Sequence, residues 1–149
     1  GNDVELVLRS LPSLELRYAA QDESARLIAR WLMGRLEIQQ VLHPAVAGSP
    51  GHEHWSRICT RAAGLFSMVL DPRYSAAQVD EFVNSLRLFK IGYSWAGPLS
   101  LAVPYNLSGI RSKPAWRGVL VRLSIGLEAV ADLIGDLETA LVRTFPPGT

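Results

Sequence analysis

At 149 residues, 48% of them hydrophobic and 19% charged, the chain is long enough to bury one core and too short to require two. A formal net charge of +1 gives no long-range attraction to nucleic acid or to an acidic membrane surface. The single cysteine, Cys59, excludes an intrachain disulfide and a cysteine-based metal site.

In chain order, Val4, Val7, Leu8 and Leu11 recur at helical spacing behind a candidate Asn2 or Asp3 cap, and Pro12 predicts a bend or break. Ala25, Ile28, Ala29 and Leu32 continue one apolar face, with Gly34 as the expected stop. Residues 3–34 therefore read as a bent helix or two successive helices. A short apolar piece follows at 40–43. Next come turn chemistry at His43-Pro44 and Ser49-Pro50-Gly51, and a short helix from about Pro50 past Trp55. The compact run Leu65 to Leu70, bounded by Gly64 and Asp71-Pro72, reads as a strand.

Ser75 and Gln78 form a capping box ahead of Val79, Phe82, Val83 and Leu86, the clearest helix start in the chain. Residues 89–94 are a candidate strand, and 95–114 should be mostly loop with a strand near Leu101 to Val103. Val119 to Ile125 is a strong strand, ended by Gly126. A helix is then expected from about Leu127, burying Val130, Leu133, Ile134, Leu137 and Leu141, and Pro146-Pro147-Gly148 closes the chain. Helices interleaved with short strands predict a two-layer α/β (α+β) domain.

In the strand at 119–125, side chains alternate between two faces. Val119, Val121, Leu123 and Ile125 share one, which should pack on the helices; Leu120, Arg122 and Ser124 share the other. A guanidinium keeps its charge at any ordinary pH, so Arg122 needs solvent or a partner. It is either an edge-strand arginine, solvated or paired with a protein acid, or a receptor for a ligand carboxylate, whose geometry its planar fork matches. Periodicity does not choose between the two.

The stretch Val121 to Glu138, VRLSIGLEAVADLIGDLE, resembles the C-terminal signature of the Cys/Met-metabolism family of pyridoxal-phosphate enzymes. Leu88 to Trp95, LFKIGYSW, is similar to the family segment before a loop over the active site, and Ser94-Trp95 after Tyr93 to the bacterial cystathionine β-lyase branch. His43 to Trp55 and Gly64-Leu65-Phe66-Ser67 are also similar to that branch, so the resemblance spans nearly the whole chain in order. Within the loop the chain departs from the branch. It reads SWAGPLSL where the branch is close to SWGGFESL, with Ala96 for a glycine, Pro98 for an aromatic and Leu99 for an acid. Pro98 stiffens the loop and Leu99 removes a charge, and both changes weaken cystathionine as the preferred substrate.

The resemblance implies the small C-terminal domain of an enzyme with the aspartate-aminotransferase-like fold type I. Its sheet would be short and mostly antiparallel, with helices on one face. Residues 3–34 would be the leading helices and 40–149 the body of one substrate-binding domain. Arg122 would grip the substrate α-carboxylate, Ser94 would hydrogen-bond the catalytic lysine or the substrate, and Trp95 and Tyr93 would shape the pocket wall. The parent would be a carbon–sulfur lyase converting cystathionine to homocysteine, pyruvate and ammonia in methionine biosynthesis. A γ-synthase, γ-lyase or sulfhydrylase is the alternative within the family, and a ligand-binding or dimerisation module without catalysis the alternative outside it.

The resemblance places the pyridoxal phosphate site, including its Schiff-base lysine, in a large domain that this chain lacks. Thirteen of the fifteen basic residues are arginine, and neither lysine, Lys90 or Lys113, matches the cofactor lysine; both read as surface residues. The chain alone is therefore expected to hold no cofactor, no catalytic residue and no activity. Its expected partners are its own large domain and an amino-acid substrate, cystathionine or a related thioether, in a homotetrameric parent. The abrupt start at Gly1 without Met suggests a domain cut from a longer chain. The lack of a secretion signal and of an apolar run of about 18 residues suggests a cytoplasmic protein. His43, His52 and His54 lack the spacing of a helical zinc site, so no metal is expected. Cys59 is expected to be buried or half-buried. Gly92 and Gly97 do not have the spacing of a phosphate loop. Exposed apolar surface is expected on the sheet face that the missing domain would cover, where it would drive self-association of the fragment.

Overall fold

The computed structural model describes residues 1–107 and 116–145. Helix α1 (Asn2–Ser10) passes through a single 3-10 turn (Leu11–Ser13) into α2 (Leu14–Met33). Pro12 lies at the start of that turn, where its missing N–H costs nothing, so the break falls where the sequence put it. Gly1, without a side-chain cap, occupies the position expected of Asn2 or Asp3, and Gly34 ends α2. Strand β1 (Ile38–Leu42), helix α3 (His52–Ile58), strand β2 (Leu65–Leu70) and helix α4 (Ala76–Ser85) follow. The Ser75 hydroxyl accepts the Gln78 N–H and the Gln78 side chain accepts the Ser75 N–H, so the capping box forms at both ends.

The remaining elements are β3 (Lys90–Ile91), β4 (Leu101–Tyr105), β5 (Leu120–Ser124) and α5 (Val130–Thr144). Among the described residues the strands form one five-stranded sheet in the order β1-β2-β5-β4-β3. All pairings are antiparallel except β3 with β4. Two expected boundaries are corrected. The strand at 89–94 shrinks to Lys90–Ile91, because from Gly92 the chain turns its carbonyls toward Arg122 instead of a neighbouring strand. Helix α5 begins at Val130 rather than Leu127, because Gly126 to Glu128 are held by the 98–100 loop. Pro146-Pro147-Gly148 lies outside the described residues, as do 108–115, including Lys113.

One sheet face carries the core. Val41, Phe66, Met68, Leu70, Val121 and Leu123 meet Ala25, Ile28 and Leu32 of α2, Val79, Phe82 and Val83 of α4, and Leu133, Leu137 and Leu141 of α5. Helices α2, α4 and α5 thus share one side, as expected. Asp136 of α5 accepts the backbone N–H groups of Arg87, Leu88 and Phe89, fixing the approach to β3 and hence the segment that follows it. The other sheet face is less exposed than the sequence suggested, with Val69 and Val103 buried there. A run of exposed apolar side chains instead lies on the leading helix and the turn after it, where Val4, Leu6, Val7, Leu8 and Leu11 are all at least half exposed. Their helical spacing is real, but α1 buries none of them against this chain. Among the described residues, no helix is long and apolar enough to cross a membrane.

Truncating a fully enclosed side chain leaves a cavity as well as lost contacts, so Leu137→Ala should cost about 2–5 kcal/mol in urea unfolding. Val4→Ala, on the uncovered helix, should stay within about 0.5 kcal/mol of the parent.

Candidate functional site

Arg122 occupies the middle of β5, opposite Ser67 of β2 and Val103 of β4, on the sheet face away from the helices. It is half-buried. Its Nη2 donates to the carbonyl oxygens of Gly92 and Ser94, each at 3.4 Å. Both bonds are long, and so orient the group more than they satisfy it. Among the described residues no carboxylate lies within ion-pairing distance of Arg122, and its Nε and Nη1 have no acceptor. The charge instead lies 5.8 Å from the centroids of the Trp95 and Tyr105 rings. Of the two readings left open by periodicity, pairing with a protein acid finds no support among the described residues.

The loop that carries Tyr93, Ser94 and Trp95 is pinned on both sides of that guanidinium. The Ala96 N–H donates to the Ser124 hydroxyl at 3.3 Å, and the Gln21 amide of α2 donates to the Gly97 carbonyl at 2.8 Å. Glu128 receives the Ser100 N–H at 2.7 Å and the Ser100 hydroxyl at 2.8 Å, while that hydroxyl accepts the Gly126 N–H at 2.9 Å. A methyl group on Gly126 would overlap the Pro98 carbonyl oxygen and the Glu128 carboxylate, so the close approach demands glycine. Ala96 holds a left-handed backbone (φ 61°) that glycine adopts more easily, which accounts for the glycine in the related loop pattern.

The sequence-predicted residues therefore come together. Arg122 meets the Ser94 backbone and the Trp95 ring; Tyr93 meets the edge of Tyr105, with centroids 6.3 Å apart. Tyr93 and Trp95 are 70% and 59% exposed, so neither is a core aromatic, and the Ser94 hydroxyl has no partner among the described residues. Strand alternation put Ser124 on the Arg122 face without giving it a role, and the sequence reading missed Tyr105, Ser100, Glu128 and Gln21, whose places depend on contacts between distant segments.

Other candidates lie elsewhere. Cys59 is exposed, contrary to expectation, because it follows the last turn of the short α3 in a segment that no helix covers. His54 is exposed on α3, whereas His43 is fully buried, and among the described residues no group of three or more His, Cys, Asp or Glu could hold a metal ion. Lys90, the one lysine among the described residues, is exposed and donates to the Arg87 carbonyl at 2.7 Å. Buried polar atoms without a partner are Arg35 Nε, His43 Nε2 and Thr144 Oγ1 among the described residues, none of them in the Arg122 loop.

Residues 1–142 match the family model for Cys/Met metabolism PLP-dependent enzymes. The chain belongs to the Cys/Met-metabolism family of pyridoxal-phosphate-dependent enzymes. It is 39% identical to the cystathionine β-lyase of Salmonella typhimurium, over 91% of this chain and 35% of that protein. It is 35% identical to an L-alanine/L-glutamate racemase of Wolbachia pipientis, over 96% of this chain and 36% of that protein. The crystal structure of cystathionine γ-synthase from Xanthomonas oryzae pv. oryzae, in complex with aminoacrylate and cysteine, superposes with a TM-score of 0.81 at 32% identity, covering 93% of this chain and 37% of that one. The chain thus spans about a third of the length of the relatives it matches. Family members depend on pyridoxal phosphate, which a lysine amine can hold through its carbonyl. The described residues do not fit that attachment: their one lysine is an exposed edge residue bonded to a neighbouring carbonyl.

His43 sits at the end of β1, where its Nδ1 accepts the Ala45 N–H at 3.3 Å and its ring lies 5.2 Å from Phe66. Burial, then the nearby Arg26 charge, lower its pKa from 6.5 to about 4, with Asp22 partly opposing and Arg30 adding slightly. Protonation would also replace the Nδ1 acceptor by a donor facing a donor. The unfolded chain therefore binds the proton between these two values and the folded chain does not. This contribution to stability is complete above pH 6.5 and is lost as pH falls toward 4. Urea titrations should show an acid-side loss on the order of 3 kcal/mol in this window that is absent from His43→Leu.

Proposed function

We propose that this chain is the C-terminal, substrate-binding part of a longer pyridoxal-phosphate-dependent carbon–sulfur lyase, most specifically a cystathionine β-lyase. The supporting observation is the Arg122 guanidinium, without a carboxylate partner among the described residues, facing a pinned and exposed Tyr93-Ser94-Trp95 loop. In this reading two N–H groups of Arg122 hold the substrate α-carboxylate as a bidentate pair, and the fixed strand sets which bond at Cα is presented to the cofactor. Ser94 contributes a free hydroxyl to the substrate or to the catalytic lysine, while Trp95 and Tyr93 wall the side-chain channel. The cofactor and its lysine come from a large domain, for which the unmatched two thirds of the relatives' length leaves room. The overall reaction of the longer enzyme is loss of a thiol from the β-carbon of a cystathionine-type thioether with uptake of one water, whose oxygen becomes the keto oxygen of pyruvate as ammonia leaves.

A γ-replacement is the second reading, and the likeness to the γ-synthase structure favours it. Product analysis separates the two, since β-elimination from cystathionine releases homocysteine and pyruvate.

In the longer enzyme, Arg122→Ala should lower kcat/KM for cystathionine by roughly 30-fold to 1,000-fold, the usual cost of stranding one partner of a hydrogen-bonded charge pair. Arg122→Lys should recover only part of this, because an ammonium cannot form the planar fork. Full kcat/KM in the alanine variant would refute the carboxylate role. The chain by itself, with pyridoxal phosphate added, should release no thiol and no pyruvate.

A further inference from the structure

We propose that Tyr105 is a positioning residue for Arg122, the strand-borne half of an aromatic clamp whose other half is Trp95. This rests on the carboxylate-binding reading of Arg122. Tyr105 pairs with Leu120 across the β4–β5 ladder and Val103 pairs with Arg122, so Tyr105 is a diagonal neighbour of Arg122 on the same sheet face. Both ring centroids lie 5.8 Å from the guanidinium carbon, within the range of cation–π attraction. The edge of Tyr93 then meets the Tyr105 ring at 78°.

The chemical choice matters. An acid in either ring's place would hold Arg122 still but would occupy the N–H fork. An aromatic face attracts the charge and accepts none of the in-plane N–H groups, leaving them for an incoming carboxylate. The two halves of the clamp differ in rigidity. Trp95 is 59% exposed on a loop, whereas Tyr105 is half-buried at the end of a strand paired along β5. Tyr105 therefore sets the position and Trp95 closes on it. Without the Tyr105 ring the guanidinium keeps two long carbonyl contacts and swings about them.

The test uses the longer enzyme that carries this chain and a probe without an α-hydrogen, S-methyl-α-methyl-L-cysteine, with its methyl ester, which keeps the amine but lacks the carboxylate charge, as the control. Calorimetric binding is measured for wild type, Tyr105→Leu and Tyr105→Phe, and steady-state kinetics for the thioether substrate. Tyr105→Leu should weaken the acid about two- to fivefold and leave the ester unchanged, with KM rising by the same factor. Tyr105→Phe, which keeps the ring, should match wild type. A purely structural role would weaken acid and ester alike, and that result, unchanged acid binding in the leucine variant, or a phenylalanine variant that behaves like leucine would overturn the proposal. Should the leucine variant not fold, Tyr105→Thr, well suited to a strand, gives the same comparison. Arg122→Ala is run alongside. If it leaves the preference for acid over ester intact, the carboxylate reading fails; if it abolishes the preference while Tyr105→Leu does not reduce it, only the clamp fails.

Discussion

Arg122 places a guanidinium in the middle of a β-strand, between immediate sequence neighbours that are apolar. Such a group must be hydrated, neutralised or held ready for an anion. Here two carbonyl oxygens and two aromatic rings steady it, and no carboxylate among the described residues reaches it. The surrounding loop depends on this arrangement. The chain leaves the sheet after Ile91 to point the Gly92 and Ser94 carbonyls at the guanidinium.

Steadying one side chain would achieve little if the loop beside it could drift. Ser100 and Glu128 supply the second constraint, by tying the far end of the loop to the turn that leads from β5 into α5. Arg122 and that turn belong to the same continuous backbone, so loop and guanidinium are referred to one strand. Gly126 is the enabling residue, because any side chain there would collide with the loop it must touch. Asp136 performs a similar service upstream, gathering three backbone donors ahead of β3. Core, turn and loop thus form a chain of supports running from α5 to the site.

One frame serves relatives of different names: a cystathionine β-lyase, an L-alanine/L-glutamate racemase and a cystathionine γ-synthase, at 32–39% identity.

Much of the fold was legible locally. The capping box, the break at Pro12, the run Leu65 to Leu70 and the alternation around Arg122 each depend on residues a few positions apart, where backbone sterics and hydrogen-bonding periodicity act directly. Those same rules placed Arg122 on the face away from the helices, and the family resemblance named its neighbours. They mistook the start of α5 and the extent of β3, because both boundaries are set by bonds to segments about 28 or more residues away. They also overlooked Tyr105, whose contact with Arg122 exists only once β4 and β5 are in register. Sequence by itself determined which elements form and which face the charge takes. Tertiary structure decided what meets that charge, because strand register and loop closure bring together residues that no local period relates.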